Sequence, residues 1–186
     1  MFYEASSRSI IHLLNCVLPQ DAIGVEVGLG KAKNFTFLLK ECPKILKLYG
    51  VDQYLAYEDY LQGVYNPNVP VKRFDQSKID SIRIYAEVNI SKSKHPEKAE
   101  ILIGRSVECA SKFENESLDF IFLDSYLTPQ DVNDDLRAWF PKLKKGGVFS
   151  GHDVDFDVVY QEVEKFSKEF NIDGISYYDE CWAFIK

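Results

Sequence analysis

The run "LDFIFLD", Leu118 to Asp124, constrains the fold more than any other stretch of the chain. It carries an unbroken apolar block, Phe120 to Leu123, between two aspartates. Neighbouring residues of a strand point to opposite faces, so this strand presents apolar side chains on both. A strand of that kind has to be covered on both faces, which is the habit of parallel sheets wrapped by helices. "AEILIG", Ala99 to Gly104, reads the same way.

The remaining periodicity supplies the wrapping helices. Ser9 to Leu18 has helical apolar spacing and ends at Pro19. A short strand, Ile23 to Val27, leads through glycines into a helix from Lys31 to Cys42, closed by Pro43. Ile45 to Val51 is a strand ending at Asp52, and Val107 to Lys112 a short helix. The spacing of Val132, Leu136, Trp139, Phe140 and Leu143 predicts a helix from Pro129 to Leu143, stopped by "KKGG", Lys144 to Gly147. "GVFSGHD" is a further strand, and Val159, Val163, Phe166 and Phe170 mark another helix. "GISYYD" and "CWAFIK" are close enough to form a hairpin at the sheet edge. Strands alternating with helices of about 10–15 residues mean β-α-β units. The middle is less regular. "YLAYEDYLQGVYNPNVPVKRF", Tyr54 to Phe74, reads as a loop with one short helix, Ser77 to Ile90 as a helix, and "SKSKHPEK" as a solvated turn.

Composition narrows the function classes. The chain has 186 residues with a formal net charge of −7. That balance argues against a nucleic-acid surface, which needs clustered Lys and Arg. Cys16, Cys42, Cys109 and Cys181 are scattered, with no C-x-x-C pair, so neither a disulfide framework nor a cysteine metal cage is expected. No run approaches the roughly 20 apolar residues of a membrane span. The N-terminus lacks a signal-peptide pattern, so a cytoplasmic protein is expected.

In a doubly wound sheet, ligands sit at the carboxyl ends of the strands. "GVEVGLGKAKNF", Gly24 to Phe35, is a strand–glycine loop–helix unit of the kind that receives nucleotide-like cofactors, or else simply a tight turn. The dinucleotide fingerprint wants a third glycine where Lys33 stands. Glu26 would place a carboxylate beside a pyrophosphate; a cofactor with an ammonium and a sulfonium, and no phosphate, tolerates it better. Asp52 follows Gly28 by roughly two dozen positions, the offset at which an acid accepts ribose hydroxyls. That offset suits dinucleotides and other adenosyl cofactors alike.

With "VEVGLG", "GVDQY", "ILIGRSVE", "LDFIFLDSY" and "LKKGGVFSGHD" in order, the chain resembles class I S-adenosylmethionine-dependent methyltransferases. It is similar to the small-molecule O-methyltransferase group that includes macrocin and catechol methyltransferases. The resemblance spans about Ile23 to Lys186. It implies a Rossmann-like α/β fold: a three-layer αβα sandwich around a mostly parallel seven-stranded sheet with an antiparallel C-terminal strand. A single methyltransferase domain over residues 1–186 is expected, with an N-terminal helix in residues 1–20 and a substrate-binding or lid insertion at residues 53–98.

The resemblance also assigns roles. Glu26, Val27, Gly28 and Gly30 would line the methionine part of the cofactor, Asp52 with Gln53 beside it would hold the ribose, and Arg105 and Ser106 would border the adenine. Asp124 would lie between the cofactor amino group and the acceptor. In metal-dependent relatives, acids in the places of Asp124 and Asp153 hold a divalent cation, here with His152 beside them. Hard oxygen ligands suit Mg²⁺, which would lower a hydroxyl's pKa. Without a metal, His152 is the candidate general base. Leu127 stands where macrocin-type relatives often carry a histidine, which implies a different substrate or a weaker metal site. Tyr54, Tyr57, Tyr60 and Tyr65 are candidate acceptor contacts. The implied activity is methyl transfer to an oxygen of a small molecule, a sugar hydroxyl or a phenol. The alternatives are an NAD(P)-dependent oxidoreductase and a non-catalytic cofactor-binding protein.

Overall fold

The computed structural model describes residues 6–59, 72–125 and 128–186. A 3₁₀ turn, Ser6–Ile10, runs into α1 (Ile11–Val17), followed by β1 (Ala22–Val27), α2 (Lys33–Glu41) and β2 (Ile45–Asp52). Next come β3 (Tyr57–Asp59), β4 (Lys72–Phe74), α3 (Gln76–Ser91), β5 (Ala99–Ile103) and α4 (Ser106–Ala110). The chain continues through β6 (Leu118–Leu123), α5 (Pro129–Trp139), β7 (Leu143–Gly151), α6 (Asp157–Phe170), β8 (Ser176–Tyr178) and β9 (Cys181–Ile185).

The seven-stranded sheet has the order β5-β2-β1-β6-β7-β9-β8. β5, β2, β1, β6 and β7 are mutually parallel, and β9 runs antiparallel to both β7 and β8. The expected fold is therefore present: a mostly parallel Rossmann-like sheet closed by an antiparallel hairpin. The apolar block of β6 explains the layering. Phe120 and Phe122 pack with Phe35, Leu38 and Leu48 in one core, while Ile121 and Leu123 pack with Trp139, Val163 and Phe166 in the other. Each of these phenylalanines is fully buried, so truncating one to alanine would cost about 3–5 kcal/mol.

Two expectations are corrected. The helix expected to reach Leu143 ends at Trp139, and Phe140–Lys142 form a 3₁₀ turn. Pro141 has no N–H to continue the ladder and its ring crowds the preceding turn. Lys144 to Gly147 therefore belong to β7 and do not cap a helix. There Gly147 runs so close to β6 that a Cβ would lie 2.8 Å from the Asp119 carbonyl oxygen. Second, the loop expected between Tyr54 and Phe74 begins and ends in an antiparallel pair, β3 with β4, where the Tyr57 and Phe74 rings stack at 4.7 Å. The short helix expected between them, with Tyr60 and Tyr65, lies outside the described residues, as does Leu127. Among the described residues, no helix is long and apolar enough to cross a membrane.

Candidate active site

The sheet ladder carries a row of loops to one rim. Past the strand ends, Gly28 donates to the Val51 carbonyl (2.8 Å), Asp124 to Val27 (2.7 Å), Gly104 to Asp52 (3.1 Å) and His152 to Leu123 (3.0 Å). The chain winds from β1 to β2 and β5 on one side and returns to β6 on the other. The switch point between β1 and β6 is where a crevice opens in such sheets. A cavity of about 460 Å³ lies there, and Val27, Gly28, Gly30, Asp52, Gln53, Arg105, Ser106, Asp124 and Asp153 all border it. Two expected residues, Glu26 and His152, stand outside its lining.

The glycine loop is shaped by close approach. Gly28 has φ +91°, and a Cβ there would lie 2.0 Å from the Asp124 carbonyl oxygen, so only glycine fits. Gly30 has φ +49° with open space around it, and its N–H donates to Asp52 Oδ2 at 2.9 Å. The other carboxylate oxygen of Asp52 accepts from the Tyr54 N–H at 2.8 Å. Burial raises the Asp52 pKa against the pull of these two donors. Each oxygen retains capacity for a further hydrogen bond, as a pair of ribose hydroxyls requires.

Glu26 lies behind the loop, 1 % exposed. Burial pushes its pKa well up, and Asp124 and Asp52 add to the effect. Asn34 is close enough to oppose the rise, yet Glu26 Oε2 and Asn34 Nδ2 both lack a hydrogen bond of ordinary geometry. A buried carboxyl oxygen is left without a donor.

At the other end, His152 Nδ1 lies 2.8 Å from Asp153 Oδ1 and 3.5 Å from Asp124 Oδ1. Its Nε2 lies 3.2 Å from Glu180 Oε2, on the turn between β8 and β9. Burial opposes a charge on the imidazole, but hydrogen bonds to Asp124 and Asp153 prevail and push its pKa up to about 11. In this arrangement the protonated His152 is a donor to the two carboxylates. Asp124, His152 and Asp153 each offer a ligand atom within 4.8 Å of the others. The donor types fit a hard divalent cation, although a metal would have to displace the proton that His152 now places between the two acids.

A third group links the ends. Asp135, on α5, accepts from the Ser125 hydroxyl at 2.7 Å and is also hydrogen-bonded to Ser106, whose oxygen accepts from the Trp139 indole at 2.8 Å. Asp135 thereby joins the loop after β5 to the loop after β6. Sequence reading missed Tyr54's grip on the loop, Asp135 and Glu180. Asp135 did leave a signal, because it lies on the apolar stripe of Val132, Leu136 and Trp139.

Among the described residues, the charged lining of the cavity is Asp52, Asp124, Asp131, Asp134, Asp135, Asp153 and Arg105. Such a wall suits a cationic adenosyl cofactor and offers little to a pyrophosphate. The comparisons with known proteins agree. A family model described as a methyltransferase domain matches residues 25–154, and the chain belongs to that family. A calicheamicin methyltransferase shares the fold with a TM-score of 0.62 at 13 % identity, over 97 % of this chain and 76 % of its own. A proposed caffeoyl-CoA O-methyltransferase from Staphylococcus aureus superposes at 0.63 with 12 % identity, covering 98 % and 83 %. The spermidine synthase of Thermotoga maritima matches at 0.55 and 21 % identity over 98 % of this chain, which spans only 59 % of that enzyme. At these identities the likeness speaks for the fold. No curated protein matches the chain significantly.

Proposed function

We propose that this methyltransferase moves the methyl group of S-adenosylmethionine to an oxygen of a small molecule, a sugar hydroxyl or a phenol. The observation that carries the reading is the pairing, in one cleft, of a backbone-gripped carboxylate, Asp52, with two acids that meet at the far end, Asp124 and Asp153. Bound S-adenosylmethionine supplies a methyl group on a cationic sulfonium. The chain has to hold donor and acceptor in line and remove the acceptor's proton.

Asp52, with Gln53 at its side, holds the ribose, and Arg105 and Ser106 border the adenine. Val27, Gly28 and Gly30 face the methionine part, with the Glu26 carboxyl behind them as the partner of its ammonium. Asp124 and Asp153 orient the acceptor and take its proton, and His152 keeps the two carboxylates together. Of residues 53–98, Leu55, Tyr57, Ile79 and Ile82 border the cavity, where they would face the acceptor. A second reading uses the same residues. The convergence of Asp124, His152 and Asp153 within 4.8 Å also suits a divalent cation such as Mg²⁺, which would acidify the acceptor hydroxyl.

Titration calorimetry with S-adenosylmethionine and S-adenosylhomocysteine, followed by mass analysis against hydroxyl, phenol and amine acceptors, tests both. Binding with methylated hydroxyl or phenol products is expected. No binding of either compound would sink the reading, and binding without any product would favour a non-catalytic protein. Loss of turnover in EDTA, restored by Mg²⁺, would select the cation form.

A further inference from the structure

Tyr54 stands two residues past Asp52 in a left-handed backbone conformation, φ +45°. Residues with a Cβ avoid that region, and a bulky one adopts it only where its surroundings over-determine it. Here three hydrogen bonds do so. The Tyr54 N–H donates to Asp52 Oδ1 at 2.8 Å, and its carbonyl accepts from Gln76 Nε2 at 3.0 Å. Its phenol turns back into the fold and donates to the Gly30 carbonyl at 2.9 Å. The residue is only 5 % exposed although it borders the cavity.

Both backbone polar groups of Gly30 are thus held from the end of β2: its N–H by Asp52, its carbonyl by the Tyr54 phenol. Burial, with Asp52 and Glu26 nearby, pushes the phenol pKa up, so the hydroxyl stays an un-ionised donor. Gln76 ties the same turn to the start of α3, accepting from the Ala56 N–H at 3.1 Å while it grips the Tyr54 carbonyl. A tyrosine in this cluster would be expected to face an acceptor. This one faces the glycine loop.

We propose that Tyr54 is a positioning residue of the cofactor site, whose phenol fixes the glycine loop against Asp52 and so sets cofactor affinity without touching the reacting atoms. The inference rests on the S-adenosylmethionine reading of the cleft. Tyr54→Phe keeps the ring and removes the donor. Leaving the Gly30 carbonyl without its partner should weaken binding of both S-adenosylmethionine and S-adenosylhomocysteine about 5- to 30-fold by calorimetry. The KM for the cofactor should rise in step, while kcat at saturating cofactor stays within about 2-fold, and the amides of Gly28 to Lys31 should exchange faster in the ligand-free protein. Gln76→Ala, on the exposed start of a helix, should shift affinity in the same direction by about 2- to 5-fold. It decides the matter if Tyr54→Phe does not fold.

Unchanged affinity in a wild-type background that binds the cofactor, or a fall in kcat alone, would overturn the proposal. If the wild type binds neither compound, the cofactor reading falls. The exchange measurement then still shows whether the phenol holds the loop, and unchanged rates would overturn that as well.

Discussion

The two ends of the cleft are held together by different kinds of bond. At the end built from β1, β2 and β5, backbone N–H groups of Gly30 and Tyr54 grip the carboxylate of Asp52. At the end built from β6, β7 and the β8–β9 turn, side chains grip side chains, with His152 set among Asp124, Asp153 and Glu180. Backbone donors reorganise little here, because the Gly30 loop and the Tyr54 turn are tied to each other by hydrogen bonds. A charge cluster shifts with any single substitution. On the function proposed above, the first end serves one constant ligand, whereas the second can be recut for different acceptors while the first stays as it is.

Breaking each end in turn shows whether this division is real. Asp153→Ala should have the largest effect, lowering turnover by about 10²- to 10⁴-fold, the usual worth of a positioned acid or base. The Kd for S-adenosylmethionine, measured by calorimetry on the same protein, should stay within about 3-fold. A comparable loss of cofactor binding would erase the distinction. Asp52→Ala should do the reverse, weakening cofactor binding by about 10- to 150-fold, as expected for hydrogen bonds to a charged group. Here kcat at saturating cofactor should remain near the wild-type value.

A third test, read in stability rather than activity, sharpens the comparison at its join. Burial raises the Asp135 pKa from 3.8 to about 6, against hydrogen bonds from Ser106 and Ser125 that lower it. A folded-state pKa above the unfolded one means that the fold favours the protonated acid. That stabilisation is complete below pH 3.8 and lost as pH rises through about 6. Asp135→Asn does not titrate. The stability of the wild type relative to this variant should therefore fall between about pH 4 and 6 and then level off, a swing of up to about 3 kcal/mol in denaturant titrations. A difference that stays flat with pH would mean that Asp135 is not the buried acid joining the two loops.

What the sequence made legible follows from how far each cause reaches along the chain. Asp52, Asp124 and Asp153 stand out because a parallel sheet brings the carboxyl ends of its strands to one rim, and the strands themselves are marked by local apolar runs. Tyr54 looked like one of several tyrosines, and only its left-handed turn aims it back at Gly30. Asp135 was readable as an acid on an apolar stripe, but its hydroxyl partners come from two other loops. Glu180 left no local trace, since it reaches His152 only after β9 pairs with β7. "KKGG" misled because lysines and glycines end helices and also fill a strand that runs close to its neighbour.

The acid lining has a kinetic consequence. Clefts walled by one sign of charge focus the field and speed the arrival of oppositely charged ligands, most strongly at low ionic strength. Asp52, Asp124, Asp131, Asp134, Asp135 and Asp153 far outweigh Arg105 along this wall. S-adenosylmethionine arrives with a net positive charge, and transfer of its methyl group leaves an uncharged thioether. The attraction that hastens capture of the donor is thereby spent in the reaction, and the product leaves a cleft that no longer pulls on it.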